Sequence, residues 1–484
     1  MAENMTDTEI EEMIEDVYDD VYDDMENVEK RLDELLETIE DLLQQKQYAD
    51  LRDLLSPLEA PDIAVLFDDL DEQVPILFRL LPKELAAEVF VELESDQQLL
   101  LIQGFSNTEL KEVLDELYLD DAVDLVDEMP ANVVTRILKH TDPETRKSIN
   151  EILKYPEDSA GRIMTTEYVD LKESMTVEDA LKRIRRTAPD KETINVCYVT
   201  DERRHLIGYL SIRTLLLAEE DDVIGDIMER SIIAVQTLDD QETTAQALSK
   251  YDFLALPVVD TENRLVGIVT VDDAMDVIEE ETTEDFEKMA AMLPSDKPYL
   301  KTGVFETWKA RTPWLMVLML SATFTGIILT HFEDALMSCA ILTSFVPMLS
   351  GTGGNSGTQA STAVIRALSL DEVRFSDLLH VLWKEFRVSL CCGICLAVAN
   401  FAKMMLIDRT LLHNPDVTAM VALVVCCTLV GTVICAKLVG CALPILAEKI
   451  GFDPAVMASP FISTIVDSIS LLIYFQIAST ILGI

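Results

Sequence analysis

The sequence predicts a multidomain α + α/β chain. A cytoplasmic helical-repeat domain and a tandem of β-α-β-β-α units precede an all-α transmembrane domain of five helices. Three observations carry this expectation. The 484 residues have a net charge of −50, yet mean hydropathy is positive at +0.20. The charge is segregated, since residues 1–311 hold 77 acids against 30 bases while residues 312–484 hold 11 against 8. Two internal repeats of different period then divide the acidic part.

The apolar part carries the strongest signal. A spanning helix needs about 20 mostly apolar residues. Five runs qualify: Trp314–Thr330, Ala335–Ile365, Ser389–Ile407, Val417–Leu446 and Ala455–Ile484. Lysines and arginines cluster on one side of them: Lys301, Lys309 and Arg311, then Arg366, Arg374, Lys384 and Arg387, then Lys449. The opposite side has only His331, Lys403, Arg409 and His413. The bias toward the cytoplasm predicts a multi-pass protein of the cell membrane, in contact with lipid, with its N-terminus cytoplasmic and its C-terminus outside. The acidic start has neither a basic nor an apolar region, so no cleavable signal is expected. Eight of the nine cysteines lie in the apolar part. Cys392 and Cys395 have CxxC spacing inside a lipid-type helix without a histidine, which fits small packing residues better than ligands.

An intramembrane charge costs roughly 3 kcal/mol or more and is a functional candidate. Asp467 is such a residue, with no base in its span. Pro460, Thr464 and Asp467 fall at i, i+4 and i+7, so they share one helical face. The alternative is a protonated Asp467 bonded to a neighbouring helix. The second span holds Pro347-Met-Leu-Ser-Gly-Thr-Gly-Gly-Asn-Ser-Gly-Thr-Gln359. Its glycines permit close backbone approach or a helix break. Asn355, Thr358 and Gln359 add neutral oxygens that packing alone would not require. Asp453, beside Pro454, extends the line toward the inner mouth. These are hard oxygen donors without His or Cys, which suits Mg²⁺, Ca²⁺ or Mn²⁺. The sparse set favours Mg²⁺, which keeps much of its water. Asp467, Asp453, Asn355 and Thr464 are the expected transport site.

The acidic part should repel nucleic acid and concentrate cations. Residues 1–27 read as a solvated acidic tail. Residues 28–155 are helical, with Val65–Leu70, Val89–Leu93 and Val113–Leu117 recurring every 24 residues and breakers at Pro82, Ser106 and Pro130. Between 156 and 281 a larger unit repeats at 156–223 and 224–281. Gly161-Arg-Ile-Met164 matches Gly225-Asp-Ile-Met228. Helices at Val177–Arg186 and Thr243–Lys250 follow. Strand pairs come next: Val196–Thr200 with Leu206–Leu210, and Ala255–Asp260 with Leu265–Thr270. Closing helices begin near Ser211 and Asp272. Residues 282–311 form a connecting helix, rich in acids at its start, before the membrane domain of 312–484.

The repeated unit resembles the cystathionine β-synthase (CBS) domain pair, an adenine-nucleotide-binding regulatory module. Its ribose signature is intact as Gly267-Ile-Val-Thr270-Val-Asp-Asp273, while Gly208-Tyr-Leu-Ser211-Ile-Arg-Thr214 lacks the Asp. The resemblance implies one nucleotide site, with ATP as a regulator and Thr270, Asp273, Phe253 and Arg213 around it. Taken together, residues 30–484 resemble the MgtE family of Mg²⁺ channels and transporters. The order of domains, the Pro347…Gln359 segment, Asp453-Pro-Ala and Asp467 carry the resemblance. It implies a homodimer with one pore, Asp467 of both chains holding hydrated Mg²⁺, and Mg²⁺ sensing by cytoplasmic acids. Those acids would be Asp120, Asp124, Glu242, Asp252, Asp273 and Asp276, and on the connecting "plug" helix Glu281, Glu284 and Asp285. Family members can carry Asn before the fifth-span proline, where this chain has Ser459.

The expected function is therefore Mg²⁺ transport, closed by cytosolic Mg²⁺. The competing readings are transport of another hard divalent ion (Ca²⁺, Mn²⁺ or Co²⁺) and a membrane-anchored sensor that transports nothing. No Ser-His-Asp set, P-loop or zinc motif suggests an enzyme.

Overall fold

The computed structural model describes residues 32, 34–70, 73–295, 299–333, 337, 339–370, 372–457 and 459–483. The acidic tail of residues 1–27 lies outside them. The chain divides into two compact units, Met1–Val277 and Ile278–Ile484.

Among the described residues the first unit opens with ten helices: α1 (34–44), α2 (Tyr48–Leu55), α3 (Ala60–Asp68), α4 (Val74–Phe78), α5 (Lys83–Glu92), α6 (Ser95–Gly104), α7 (Asn107–Leu114), α8 (Leu119–Glu128), α9 (Ala131–His140) and α10 (Pro143–Ile152). The 24-residue period is a helix pair. α3 packs on α5, α5 on α7 and α7 on α9, so each repeat buries the apolar face its neighbour exposes. The three breakers are N-caps: Pro82 precedes α5, Ser106 precedes α7 and Pro130 precedes α9. Ser106 forms a reciprocal capping box with Glu109. Each satisfies a backbone donor that the helix start would leave open. Phe78, Phe90 and Phe105 sit 5.4–6.4 Å apart at the centre of the array.

The repeated units follow with identical topology. In the first, β1 (Val169–Lys172) runs parallel to β2 (Val196–Thr200), which pairs antiparallel with β3 (Leu206–Ser211). In the second, β4 (Val235–Gln236), β5 (Ala255–Val259) and β6 (Leu265–Thr270) repeat the order. Helices α11 (Val177–Thr187), α12 (Ile212–Leu217), α13 (Ile224–Ile227), α14 (Gln241–Tyr251) and α15 (Val271–Met289) accompany them. The Gly-x-Ile-Met repeat has a reciprocal packing cause. A Cβ on Gly267 would lie 2.6 Å from Met164 Sδ, and one on Gly208 would lie 2.4 Å from Met228 Sδ. Each lead-in thus crosses to the other unit's sheet, bridging Thr165 to Ile268 and Glu229 to Tyr209.

The expected boundary between the second repeat and the plug does not exist as a break. α15 is one 19-residue helix that carries both, because no proline or glycine interrupts Val271–Met289. This helix ends at Met289, and the next begins at Val304.

Among the described residues the second unit holds five long helices. They are α16 (Val304–His331), α17 (Val346–Ser369), α18 (Leu378–Lys403), α19 (Ala419–Lys449) and α20 (Ser459–Leu482). Four stretches are long and apolar enough to cross a membrane, containing α16, α18, α19 and α20. α17 falls short in apolarity because of its Gly, Ser, Thr, Asn and Gln content. It packs against α19 and α20. α16 buries no residue within the chain and exposes Leu315, Met319, Leu320 and Phe324, a surface that hydrocarbon tolerates and water does not.

Candidate functional site

The glycines of α17 serve approach and not breakage, for the helix runs unbroken through them. A Cβ on Gly440 of α19 would lie 2.3 Å from the Gly357 carbonyl oxygen, so the two backbones touch. Gly353 is closed in by Thr432, Val466 and Ser470, and Gly354 by Ser463. Small residues let helices meet at this range where lipid supplies no hydrophobic drive between them. The opposite face is different. Gly351, Asn355 and Gln359, spaced four apart, are exposed in the chain and form one polar stripe along α17.

Asp467 of α20 is half-buried and accepts a hydrogen bond from the Ser350 hydroxyl. Ser350 immediately precedes Gly351, so the carboxylate is anchored beside the start of the stripe. Thr464 donates to the Pro460 carbonyl (3.0 Å) and accepts from Ser321 of α16 at 3.4 Å. Its hydroxyl proton is therefore committed to its own helix, and its oxygen meets α16.

Asp453 lies between α19 and α20. One oxygen caps the following turn by accepting from Ala455 N–H (2.7 Å). The other pairs with Lys288 Nζ of α15 at 2.7 Å. The same ammonium pairs with Glu284 at 2.6 Å; burial disfavours its charge, and the two carboxylates together outweigh that and hold Lys288 protonated above its ordinary range. Asp285 accepts from Ser369 Oγ (3.2 Å). Burial, then the Asp453 charge, raises its proton affinity. Glu281 is half-buried on the same helix. Lys288 went unread in the sequence because it stands alone among acids. A base four residues after Glu284 was the available signal.

The membrane helices hold a second feature that the sequence reading passed over. Lys437 of α19 is 7% exposed in its side chain and lies 3.9 Å from Glu385 of α18. A lone lysine in an apolar run is visible in the sequence, but its partner is 52 residues away.

In the first unit, Asp120 of α8 is buried. Burial first, then Asp273 and Glu192, pushes its proton affinity far up. Burial, then the Asp273 charge, raises Asp121 to about 7, and burial, then the Asp121 and Asp273 charges, raises Glu192 to about 8. One Glu192 oxygen is buried without a hydrogen-bond partner. Asp273, itself raised chiefly by burial, accepts from the Thr270 hydroxyl and backbone N–H. The fold thus gathers Asp120, Asp121, Glu192 and Asp273, of which Glu192 and Asp121 were not expected. In the other repeat, Ser211 and Thr214 hydroxyls lie 2.9 Å apart and Ser211 caps α12, so the missing Asp removes charge but not the cap.

The remaining expected residues stand elsewhere. Asp124 and Asp276 are exposed. Glu242 accepts from Gln246 at 3.1 Å. Asp252 is an exposed left-handed C-cap of α14. Phe253 stacks on Tyr251, with ring centroids 5.5 Å apart, and Arg213 is exposed. Among the described residues, no three His, Cys, Asp or Glu side chains converge closely enough to hold an ion by themselves.

Comparison with known proteins bears on all three regions. Residues 346–477 match the family described as "Divalent cation transporter" (MgtE), and residues 58–158 match "MgtE intracellular N domain". Residues 160–221 and 224–280 each match the CBS domain. The magnesium transporter MgtE of Thermus thermophilus is 39% identical over 93% of this chain and 99% of its own length. That of Bacillus subtilis is 34% identical over 92% and 97%. The crystal structure of the cytosolic domain of the Mg²⁺ channel MgtE in complex with ATP is 40% identical. It covers 50% of this chain and 99% of that one, with a TM-score of 0.48.

Proposed function

The chain belongs to the MgtE family of divalent cation transporters, and we propose that it conducts Mg²⁺ through a homodimeric pore that cytosolic Mg²⁺ closes. The observation that carries this reading is the Asp467 carboxylate, anchored by Ser350 beside the uncovered Gly351–Asn355–Gln359 stripe. A polar stripe that its own chain leaves open fits the axis between two copies. There, Asp467 from each copy would face one hydrated ion. Two carboxylates and neutral oxygens suffice for a cation that retains most of its water. Asp453 stands at the inner mouth, and the membrane orientation follows the lysine and arginine bias, with the N-terminus inside.

Closure follows from charge. Mg²⁺ is bound by acids that approach in the compact state, so that state gains differential affinity. Asp120, Asp273 and their neighbours would form one such locus. Glu281, Glu284 and Asp285 would form another near Asp453, where Lys288 bridges two of the carboxylates. Asp124, Glu242, Asp252 and Asp276 would act at surfaces completed by the second copy. ATP regulation rests on Thr270 and Asp273 with Phe253 and Arg213.

The competing reading of a sensor without transport does not need Asp467 in the membrane. Flux of Mg²⁺, Ca²⁺, Mn²⁺ and Co²⁺ into liposomes, wild type beside Asp467→Asn, tests both points. Wild-type flux in the variant would overturn the pore site, and a preference for Ca²⁺ or Mn²⁺ would overturn the choice of ion.

A further inference from the structure

We propose that the first β-α-β-β-α unit carries a binding site for a compact phosphoryl anion, in the polar pocket between β1, β2 and the β2–β3 turn. The pocket has a volume of about 270 Å³ and is lined by Thr166, Tyr168, Asp170, Lys191, Thr200 and Arg204. It is separate from the Thr270–Asp273 signature, which lies at the other end of β6 from Leu265, the residue this pocket abuts through Tyr168 and Arg204.

Charge is the first argument. Residues 1–311 hold 77 acids against 30 bases, so a cation here has carboxylates within easy reach. Yet among the described residues neither Lys191 nor Arg204 pairs with one, and neither does Lys172 behind Thr200. Lys172 Nζ donates to Thr200 Oγ1 (2.9 Å) and to the Asp201 carbonyl (2.8 Å). The acids nearby are already committed. Asp170 pairs with Arg183. Asp201 accepts from two backbone N–H groups of its turn and pairs with His205 at 2.8 Å. Two positive charges, Lys191 and Arg204, therefore line a small polar space with Lys172 behind it, and the one carboxylate in the lining, Asp170, is already paired with Arg183, a balance that favours an anion.

The donors are also positioned. Thr200 is 3% exposed. Its oxygen accepts from Lys172, which leaves the hydroxyl proton to donate. Arg204 donates to Tyr168 Oη (3.1 Å) and the Leu265 carbonyl (3.3 Å), which fixes one end of its fork and leaves other N–H groups. Its backbone has φ +69°, a left-handed conformation that disfavours long side chains. The equivalent turn position in the second repeat is Asn263, with φ +61°, a residue suited to that conformation. Arginine at Arg204 is explained by its side chain and not by its backbone.

The repeat supplies an internal control. Aligned by the strand registers, Tyr168, Asp170, Thr200 and Arg204 correspond to Ile232, Ala234, Val259 and Asn263. At three of these four positions the second unit is apolar, while Asn263 is polar and Gln236 stands where the first unit has Lys172. Packing alone accepts the apolar set, so the polar set in the first unit points to a ligand. The pocket suits inorganic phosphate or pyrophosphate, or the polyphosphate tail of a nucleotide.

The test is calorimetric titration of the full-length chain in detergent, without Mg²⁺ and at fixed ionic strength, with inorganic pyrophosphate, ATP and adenosine. Saturable pyrophosphate binding is expected, one per chain. It should weaken at least tenfold in the Lys172→Gln/Lys191→Gln double variant and severalfold in Thr200→Val, which copies the second repeat. Melting temperature without ligand shows whether each variant is folded, and Thr200→Val serves if the double variant is not. If the double variant weakens ATP and pyrophosphate alike, the occupant is a nucleotide tail. If it weakens pyrophosphate only, the occupant is the free anion. Absence of saturable pyrophosphate binding at 10 mM, a concentration of roughly ordinary weak-ligand range, would overturn the proposal. So would equal binding by wild type and the folded variants.

Discussion

The membrane unit and the acidic unit treat a carboxylate in opposite ways. Among the helices of the membrane unit, Asp467 is half-buried, with one hydroxyl donor beside an otherwise apolar or neutral helix surface. In the acidic unit, Asp120, Asp121, Glu192 and Asp273 lie near one another, and burial first, then neighbouring carboxylates, makes each hold its proton more tightly. In lipid a single charge is expensive, so its presence is informative by itself. In the acidic unit a charge costs little at the surface, and only burial or crowding distinguishes one acid from the rest. The lesson is that scarcity marks the function in one half and convergence marks it in the other.

The sharpest way to break the comparison is Asp467→Asn. Size and hydrogen bonding to Ser350 are kept while the charge is lost. Mg²⁺ flux in liposomes should fall on the order of a hundredfold or more, as expected for a group that contacts the transported ion in a low-dielectric path. Thermal stability should be unchanged. Flux near wild type would show that a lone intramembrane acid can be structural after all.

The plug contains both kinds of acid and tests where the boundary lies. Replacing Glu281, Glu284 and Asp285 together by neutral amides should raise the cytosolic Mg²⁺ needed for half-closure severalfold in patch recordings, with the open current preserved. An unchanged or lower value would mean that loss of repulsion dominates. Lys288→Met asks a narrower question. It removes the ammonium that ties Glu284 to Asp453, so current without Mg²⁺ should rise while saturating Mg²⁺ still closes the pore. Equal currents without Mg²⁺ would show that the lysine bridge does not hold the plug.

Gly440→Ala probes packing in the membrane unit, where a methyl group would press on the Gly357 backbone. Overpacking of this kind costs about 1–3 kcal/mol, read as a lower melting temperature of the purified protein. No change would mean that α17 and α19 can separate freely.

The smallest effect concerns protons in the acidic unit. Asp121 at about 7 and Glu192 at about 8 are raised above the ordinary carboxylate range. The folded state therefore binds more protons than the unfolded one between those limits. This contribution is fully present below about pH 4 and is lost as pH rises through about 8. In EDTA the melting temperature should fall between pH 5 and pH 8 as these protons are lost. Mg²⁺ should restore more of it at pH 8 than at pH 5. Equal rescue at both pH values would place the metal elsewhere.

Much of the architecture was legible because it is periodic. The 24-residue helix pairs, the Gly-x-Ile-Met repeat and the apolar runs each write their spacing into neighbouring residues. Asp467 was legible because nothing around it in sequence resembles it. What the sequence by itself could not decide was which distant groups meet. Ser350 and Asp467 are 117 positions apart. The Lys288 bridge joins α15 to the turn before α20. Glu192 meets Asp120 only because the helical array and the first repeat share one compact unit. The predicted domain boundary falls inside the unbroken α15, since a helix stops at a chemical breaker and not where a domain ends. Burial, electrostatic crowding and shared donors are properties of distances in space. A chain with 88 acids does not specify those distances until its apolar faces have packed.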